Sequence, residues 1–332
     1  MLCLNHRATV PPGPQFLHHN DPYMKHTFDR RQFVKTGVAV AASAALPTNF
    51  FAADKKSVLV FTKSSGWEHD VVKRVNGKPS IVERAITSLA GKQGFDVTAS
   101  KDGRIFDSKD FRNYAAVLFY TTGDLITAGT DKNPPMSPEG KQSLLHAIHD
   151  GLGFVGVHCA SDTFHTKPDP ENGANRYIAH GDQSDPYLRM LGGEFITHGS
   201  TPRLQTTNII VNDRKFPGLE GVASPFSFND EWYSLKDFRT DLHVVLTLNT
   251  KGMSGEPYQR PPYPMTWARM EGKGRVFYTA IGDRPENWSS QLFLNLLSGG
   301  IRWAIGDVNA SLDENLTQAA PGYNVIPPKP KS

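Results

Sequence analysis

A short run of small and β-branched residues, Gly153 to Val157, constrains the fold of this chain more than any other feature, because His158, Cys159 and Ala160 follow it at once. Such an apolar run is typical of a strand buried on both faces of a parallel sheet. A sharp turn at its end needs small residues two positions before and two positions after the apex. Gly156 and Ala160 have that spacing around His158, so we predict that the turn holds His158 at the carboxyl edge of the sheet, where open α/β folds bind ligands. The alternative is that both are ordinary packing residues and His158 is a loop histidine.

Strand and helix patterns alternate on both sides of this turn. Buried-strand patterns occur at residues 57–62, 95–99 and 115–120, and helical spacing occurs at residues 80–89, 137–148 and 289–305. Alternation of this kind implies right-handed crossovers and a parallel sheet. We therefore predict an α/β fold of flavodoxin-like type, with a mostly parallel central sheet flanked by helices and extra strands in the second half.

The first 53 residues differ from the rest of the chain. Arg30 and Arg31, an Ala-rich apolar stretch at residues 34–46, and the small residues Ala52 and Ala53 follow one another in the order of a twin-arginine signal peptide. This order predicts export to the periplasm. The alternative is a disordered N-terminal tail.

The sequence predicts a division of the chain into three parts. We predict an N-terminal extension with the signal peptide at residues 1–53, one domain at residues 54–310, and a flexible, proline-rich tail at residues 311–332. After the signal, no apolar run approaches the ~20 residues of a membrane helix, so we expect no membrane span in the mature chain.

The charge balance argues against a nucleic-acid partner. Residues 1–53 hold five of the 36 Lys and Arg residues and two of the 33 Asp and Glu residues, so the remainder carries 31 of each. A nucleic-acid-binding surface needs an excess of basic residues, which this domain lacks. Cys3 lies in the signal segment, which leaves Cys159 alone in the domain and excludes an intrachain disulfide there.

Histidines and acids follow several of the predicted strands. His69 follows the first strand, His158 and Asp162 follow the fourth, and His198 and Glu231 follow later ones. Because parallel strands end at one edge of a sheet, we expect these side chains to meet there. His69, His158 and His198 with a carboxylate are a donor set for a divalent metal such as Zn²⁺, although no pair has the local spacing of a metal motif.

Acid–base chemistry on a sugar or carbonyl compound is the second interpretation of the same residues, and scattered surface histidines are the third. On the second interpretation the candidate catalytic residues are His158, His69, Asp162, His198 and Glu231. Nearby polar residues and aromatic faces predict substrate contacts by Trp67, Thr122, Asp230, Trp232 and Tyr233.

An ordered set of segments resembles the ThuA-like (trehalose utilisation) family, whose fold is similar to the three-layer class I glutamine amidotransferases. The matching segments are residues 66–70 (Gly-Trp-Glu-His-Asp), 153–158 with Asp162, 191–195 (Leu-Gly-Gly-Glu-Phe) with His198, 230–233 (Asp-Glu-Trp-Tyr), 264–267 (Pro-Met-Thr-Trp), 272–278 and 300–304. They cover nearly the whole mature chain. The family usually has Gly-His after its Val-Phe-Tyr strand, whereas this chain has Gly282-Asp283, so Asp283 becomes a further candidate for substrate binding.

The resemblance implies a role in the breakdown of trehalose or related disaccharides, through keto-sugar intermediates. The amidotransferase relatives carry a nucleophilic cysteine at the apex of the turn, and His158 stands there in this chain. Cys159 is one residue away, so we do not expect glutamine amidotransferase activity.

Three functions remain open from the sequence. The first is an exported carbohydrate-active hydrolase, lyase or isomerase that takes a small-molecule saccharide. The second is a non-catalytic sugar-binding or scaffold domain, and the third is a Cys-dependent hydrolase. Assembly into a homo-oligomer is compatible with each of them.

Overall fold

The computed structural model describes residues 55–168 and 173–329. The predicted signal peptide lies outside these residues and stays a prediction, as does export. No helix in the described part of the chain has both the length and the apolar character that crossing a membrane requires.

Strands and helices alternate through the first half of the chain, as predicted. The strands are β1 (Ser57–Phe61), β2 (Asp96–Ser100), β3 (Ala116–Phe119), β4 (Gly153–Val157), β5 (Glu194–His198), β6 (Leu204–Val211), β7 (Phe226–Glu231), β8 (Tyr233–Lys236), β9 (His243–Leu248), β10 (Tyr263–Glu271) and β11 (Gly274–Thr279). The α-helices are α1 (Ile81–Gln93), α2 (Pro138–Asp150), α3 (Pro186–Leu191), α4 (Gln291–Ala304) and α5 (Leu316–Ala319).

A nine-stranded sheet organises the domain in the order β2-β1-β3-β4-β11-β10-β9-β6-β7. Pairing is parallel from β2 to β11 and antiparallel from β11 to β7. Helix α1 packs beside β2, and α2, α3 and α4 contact β11. The predicted α/β fold is confirmed, and the extra strands of the second half extend the same sheet; β5 and β8 form a separate antiparallel pair.

Local sequence accounts for where the first helices begin and end. The Ser80 hydroxyl accepts a hydrogen bond from the Glu83 amide while the Glu83 carboxylate accepts one from the Ser80 amide, which is a complete capping box for α1. Gly94 ends the same helix with a φ of +83°, a conformation that glycine adopts without strain. At the start of α2 the Ser137 hydroxyl accepts a hydrogen bond from the Gly140 amide, and Pro138 is the first residue of the helix.

Residues 311–329 differ from the flexible tail that their composition predicted. Leu316 is buried, and α5 contacts β9 and β10. The Asn315 side chain accepts a hydrogen bond from the Val244 amide at 2.6 Å and donates one to the Val244 carbonyl at 3.1 Å. These anchors precede the prolines on which the prediction rested, and they pack this segment against the domain.

Candidate functional site

The turn after β4 has the geometry that its small residues predicted. His158 has a φ of +46°, a left-handed conformation that is uncommon for a residue with a side chain. A Cβ on Gly156 would lie 2.9 Å from Leu191 Cδ1 and 3.3 Å from Ala160 Cβ, so a larger residue would not fit. The chain continues as a short 3₁₀ turn from His158 to Asp162, and Cys159 within it is fully buried.

The main chain fixes the orientation of the His158 imidazole. Its Nδ1 lies 2.8 Å from the Ala280 carbonyl oxygen and can only donate to it, so the lone pair of a neutral ring resides on Nε2. That Nε2 atom is buried without a hydrogen-bond partner among the described residues. The ring is fully buried and packs with its centroid 4.1 Å from that of Tyr233, so His158 lies beneath the pocket surface.

Four buried side chains from distant parts of the sequence meet around this ring. His69 follows β1, His158 follows β4, Glu231 ends β7 and Asp283 follows β11, and one donor atom of each lies within 4.8 Å of the other three. His158 Nε2 is 3.5 Å from Glu231 Oε2, and His69 Nε2 is 3.9 Å from Asp283 Oδ1. We refer to these four residues as the His–carboxylate cluster.

Arg203 bridges the two carboxylates of the cluster from the pocket side. Its Nη1 donates to Glu231 Oε1 and to Asp283 Oδ2, each at 2.8 Å. Each carboxylate therefore turns one oxygen toward Arg203 and the other toward a histidine. Arg203 was not among the predicted site residues, since it lies in a loop without a motif.

The two histidines of the cluster differ in protonation. Burial, together with the positive charge of His158, lowers the pKa of His69 to about 3. Burial also opposes a charge on His158, but the carboxylates of Glu231, Asp283 and Asp230 outweigh it and raise the pKa of His158 to about 9. Without a bound cation, the cluster thus holds its proton on His158 and keeps His69 neutral.

The His–carboxylate cluster fits a divalent cation. His158 Nε2 is buried without a hydrogen-bond partner among the described residues, and a carbonyl orients the His158 ring in the manner usual for metal-binding histidines. The His69 nitrogen that faces Asp283 is Nε2, which lies 3.4 Å from the Tyr233 hydroxyl. Two imidazoles and two carboxylates are a common donor set for Zn²⁺ and similar ions. The predicted set had His198 as its third histidine, whereas the converging donors are His69, His158 and two carboxylates.

A cavity of about 720 Å³ lies over the cluster. The predicted residues that line it are Trp67, His69, Asp162, His198, Glu231, Tyr233 and Asp283. His198 stands on its wall, with its Nδ1 3.5 Å from Glu231 Oε1 and its side chain 37% exposed. The Trp67 side chain is 74% exposed, which leaves its indole face open to solvent.

Three predicted substrate-binding residues lie behind the pocket wall. The Thr122 hydroxyl donates to the Trp67 carbonyl oxygen at 2.9 Å and so supports the loop that carries Trp67. Asp230 accepts hydrogen bonds from backbone amides that include Gly282 at 2.7 Å, and burial raises the pKa of Asp230 to about 6. The fully buried Trp232 donates from its indole to the Gln205 carbonyl oxygen.

A second group of possible donors is already occupied by a lysine. Donor atoms of His180, Glu194 and Asp237 lie within 4.8 Å of one another. The Lys236 ammonium lies among them, 2.8 Å from His180 Nδ1, 3.4 Å from Glu194 Oε2 and 3.3 Å from Asp237 Oδ2. Because this charge would repel a metal ion, we interpret the group as an internal ion-pair network.

Most of the chain matches one known protein family. The sequence model of the ThuA family, described as trehalose utilisation, matches residues 57–304. No curated protein sequence matches the chain.

Two solved structures of proteins described as ThuA-like resemble the domain. The protein from Bacteroides uniformis is 18% identical over 78% of this chain and 95% of its own, with a TM-score of 0.54. The protein from Parabacteroides merdae is 17% identical over 82% of this chain and 96% of its own, with a TM-score of 0.50. At these identities the likeness shows a shared fold alone.

Proposed function

This chain belongs to the ThuA family, trehalose utilisation, and from that premise we propose that it is an enzyme that acts on a disaccharide or keto-sugar in the pocket over the His–carboxylate cluster. The reaction classes open to such a site are hydrolysis, elimination and isomerisation. Each of them moves protons to or from sugar oxygens or carbons, which histidines and carboxylates do well.

The convergence of the His–carboxylate cluster beneath an open cavity is the observation that carries this proposal. Burying two carboxylates and two imidazoles costs free energy unless each is paired, and here the pairs form among residues far apart in the sequence. Strained and buried polar groups of this kind are concentrated at functional sites. The left-handed backbone of His158 belongs to the same pattern.

The residues on the cavity wall have separate tasks in this proposal. The exposed indole of Trp67 offers a flat apolar face on which a sugar ring stacks, and Tyr233 offers a second aromatic side chain deeper in the cavity. His69, His198 and Arg203 present polar groups to sugar hydroxyls. His158 does not reach the cavity and acts by holding Glu231 and the electrostatics of the cluster in place.

His69, His158, Glu231 and Asp283 are the residues that would hold a divalent cation. When bound, such an ion would supply Lewis-acid polarisation of a sugar oxygen. The protein's own contribution is to present the neutral imidazole of His69 and two oriented carboxylates, and to hold the His158 ring through Ala280 so that Nε2 faces Glu231. His158 would give up its Nε2 proton when the cation binds, since a histidine binds a metal through a deprotonated ring nitrogen.

Turnover of disaccharides and their keto derivatives by protein purified without chelators tests the proposal. We expect His158→Ala to lower turnover by about 10²-fold or more, since a buried group of the cluster is lost. Cys159→Ala is the matched control, because it is the next residue in the same buried turn and its pKa is raised by burial, which disfavours the thiolate. Elemental analysis of the same preparations reports whether wild type holds a metal that His158→Ala loses.

Each of the other functions has its own result in this experiment. Equal turnover by wild type and His158→Ala would refute the assignment of the cluster. Loss of turnover in Cys159→Ala would indicate a Cys-dependent hydrolase. Saccharide binding in calorimetry without any product would identify a non-catalytic sugar-binding domain.

A further inference from the structure

A line of three ionisable side chains leads from the cavity wall into the protein, and its members are Asp162, His165 and Glu194. We propose that Asp162 is the general base of this pocket and that His165 and Glu194 are positioning residues that hold its carboxylate ionised and oriented. This inference rests on the proposed sugar-processing function and adds the residues that move the proton.

The hydrogen bonds of His165 determine its charge. Its Nε2 lies 2.6 Å from Asp162 Oδ1, and its Nδ1 lies 3.3 Å from Glu194 Oε1. A carboxylate oxygen accepts hydrogen bonds, and a neutral imidazole can donate from only one nitrogen. Both bonds form together when the ring is a doubly protonated imidazolium, so His165 carries a positive charge between two negative ones.

The surrounding charges support this arrangement from each side. Arg176 Nη1 donates to Asp162 Oδ1 at 3.3 Å, and the Lys236 ammonium lies 3.4 Å from Glu194 Oε2. The amide and hydroxyl of Thr166 donate to Glu194, and the ring nitrogen of His180 is 4.0 Å from it. His69 faces Asp162 from the cavity side at longer range.

The direction of the pKa shifts agrees with the geometry. Burial alone would raise the pKa of Asp162, but its bond to His165 and the charges of His165 and Arg176 outweigh burial and lower it. Burial opposes a charge on His165, but both carboxylates outweigh it and raise the pKa of His165 to about 9. At neutral pH the Asp162 carboxylate is therefore ionised.

Among the residues that the structure describes, one oxygen of Asp162 has no hydrogen-bond donor. His165 and Arg176 both bond to Oδ1, and within residues 55–168 and 173–329 no donor lies within hydrogen-bond distance of Oδ2. The side chain lines the cavity and is 18% exposed. Glu231 and Asp283 each accept a hydrogen bond from Arg203, and their other oxygens face His158 Nε2 at 3.5 Å and His69 Nε2 at 3.9 Å within the cluster.

Two other acids line the cavity, and neither resembles Asp162. The Asp70 side chain is 79% exposed and pairs with Lys73, and the Glu286 side chain is 67% exposed and pairs with Arg284. Solvated carboxylates of this kind have no built partner that fixes their direction. Asp162 thus combines an orientation that His165 and Arg176 fix with an Oδ2 atom that no described residue engages.

The proton transfer can be written at these atoms. The O–H bond of a sugar hydroxyl breaks, its proton passes to Asp162 Oδ2, and the electron pair stays on the sugar oxygen. Asp162, now a neutral acid, returns the proton to an oxygen of the product or to water. His165 keeps both of its protons throughout and acts only by stabilising the ionised form of Asp162.

Four variants test the role of this line of side chains. We expect Asp162→Asn to lower kcat by about 10²-fold or more at every pH. We expect His165→Gln and Glu194→Gln to lower kcat about tenfold at low pH with little change in KM. The loss of kcat in these two variants should shrink as pH rises. Asp162 binds its proton more readily in them, so the acid limb of the rate profile moves to higher pH. His243→Gln is the matched control, since the His243 side chain is 5% exposed, like that of His165, and pairs with Asp213 away from the cavity.

Carbon NMR of protein labelled at the aspartate carboxyl carbon gives a second readout that needs no turnover. Comparison with Asp162→Asn assigns the Asp162 signal, and its titration midpoint should move upward in His165→Gln and in Glu194→Gln. A pH-independent loss of kcat, or an unmoved midpoint in the folded variants, would refute the positioning role. Wild-type turnover that survives in Asp162→Asn would refute the general base while leaving the proposed function intact. Absence of any wild-type turnover would instead remove the proposed function and the general-base role together, and the NMR titration would still decide whether His165 holds Asp162 ionised.

If His165→Gln fails to fold, Glu194→Gln carries the same test, because it removes the negative charge beside the imidazolium and keeps the shape of the side chain. Circular dichroism spectra establish which variants are folded before kinetics are compared.

Discussion

Replacing Arg203 with methionine tests the cluster through its charge balance. The substitution keeps much of the side-chain volume and removes the one guanidinium nitrogen that bonds both Glu231 and Asp283 at 2.8 Å. The two carboxylate side chains are only 4% and 8% exposed, so water cannot fully replace the lost donor. We expect Arg203→Met to be destabilised at pH 7 and to bind a divalent cation more tightly than wild type.

The magnitude follows from the contacts. Hydrogen bonds to charged groups contribute about 1.5–3 kcal/mol each, but the Arg203 side chain is 48% exposed, and solvent screening places the expected total near the lower end, at about 2 kcal/mol. For a domain of this size that corresponds to a fall in Tm of about 4–8 °C. The loss should shrink below about pH 5, because protonated carboxylates no longer need the cation.

Calorimetric melts with and without Zn²⁺ or Mn²⁺ measure both effects. Because removing a positive charge beside the cluster favours a bound cation, we expect its Kd to fall at least tenfold, which is about 1.4 kcal/mol. Arg74→Met is the matched control: Arg74 bonds the buried Glu83 at 2.6 Å with similar exposure, and it lies away from the cavity. It should lose stability without gaining cation affinity. Equal melting of Arg203→Met and wild type at pH 7, or equal cation affinity, would refute this account of the cluster.

Two further predictions concern the turn and the buried line of charges. Gly156→Ala should lower the free energy of unfolding in urea by about 1–3 kcal/mol, because its Cβ would lie 2.9 Å from Leu191 Cδ1 and 3.0 Å from Tyr278 Cδ2. Gly91→Ala in α1 is the control and should be neutral or stabilising, since its Cβ would meet nothing within 4 Å. Equal effects of the two substitutions would contradict the packing of the turn. The pKa of His165 is raised to about 9 from an ordinary value of 6.5, which stabilises the fold by at most about 3 kcal/mol. This stabilisation is complete below pH 6.5 and is lost as pH rises through 9. The free energy of unfolding, measured between pH 6 and 10, should fall in this way for wild type and not for His165→Gln, and parallel curves would contradict the prediction.

The fold and family could be predicted because their signals are local. The parallel strands are short apolar runs, and the capping residues of α1 and α2 stand where their helices begin. The turn at His158 was predicted from two small residues at defined spacing, and the structure has that turn. Each of these signals is carried by a few neighbouring residues, so no long-range information was needed.

The lining of the cavity could be predicted only in part, because it depends on which face of a strand each residue occupies. Side chains alternate along an extended chain, so neighbours in the run from Asp230 to Tyr233 point to opposite sides. Glu231 and Tyr233 line the cavity, whereas Asp230 and Trp232 pack behind it. The sequence identified this run of four residues but not which alternate residues face the cavity. Applying the alternation of a strand could have separated Glu231 and Tyr233 from Asp230 and Trp232.

Long-range partners were the part that no local pattern revealed. Arg203 lies in a loop between β5 and β6, and its contacts to Glu231 and Asp283 depend on how three strands run through space. His165 lies three residues after Asp162, but helical spacing does not explain their contact, because Thr163 is extended and Phe164 has a φ of +54°. Glu194, the other end of that line, lies 29 residues further along the chain.

The position of β11 has a consequence for how the protein is made. This strand lies at the middle of the sheet between β4 and β10, yet it follows every other strand in the sequence. Synthesis proceeds from the N-terminus, so the strands on both sides of β11 are made before the strand that joins β4 to β10. Ala280, which orients His158, and Asp283 come directly after that strand. A nascent chain that ends before residue 274 would therefore present two unjoined edges, and the site should assemble only once nearly the whole domain has left the ribosome.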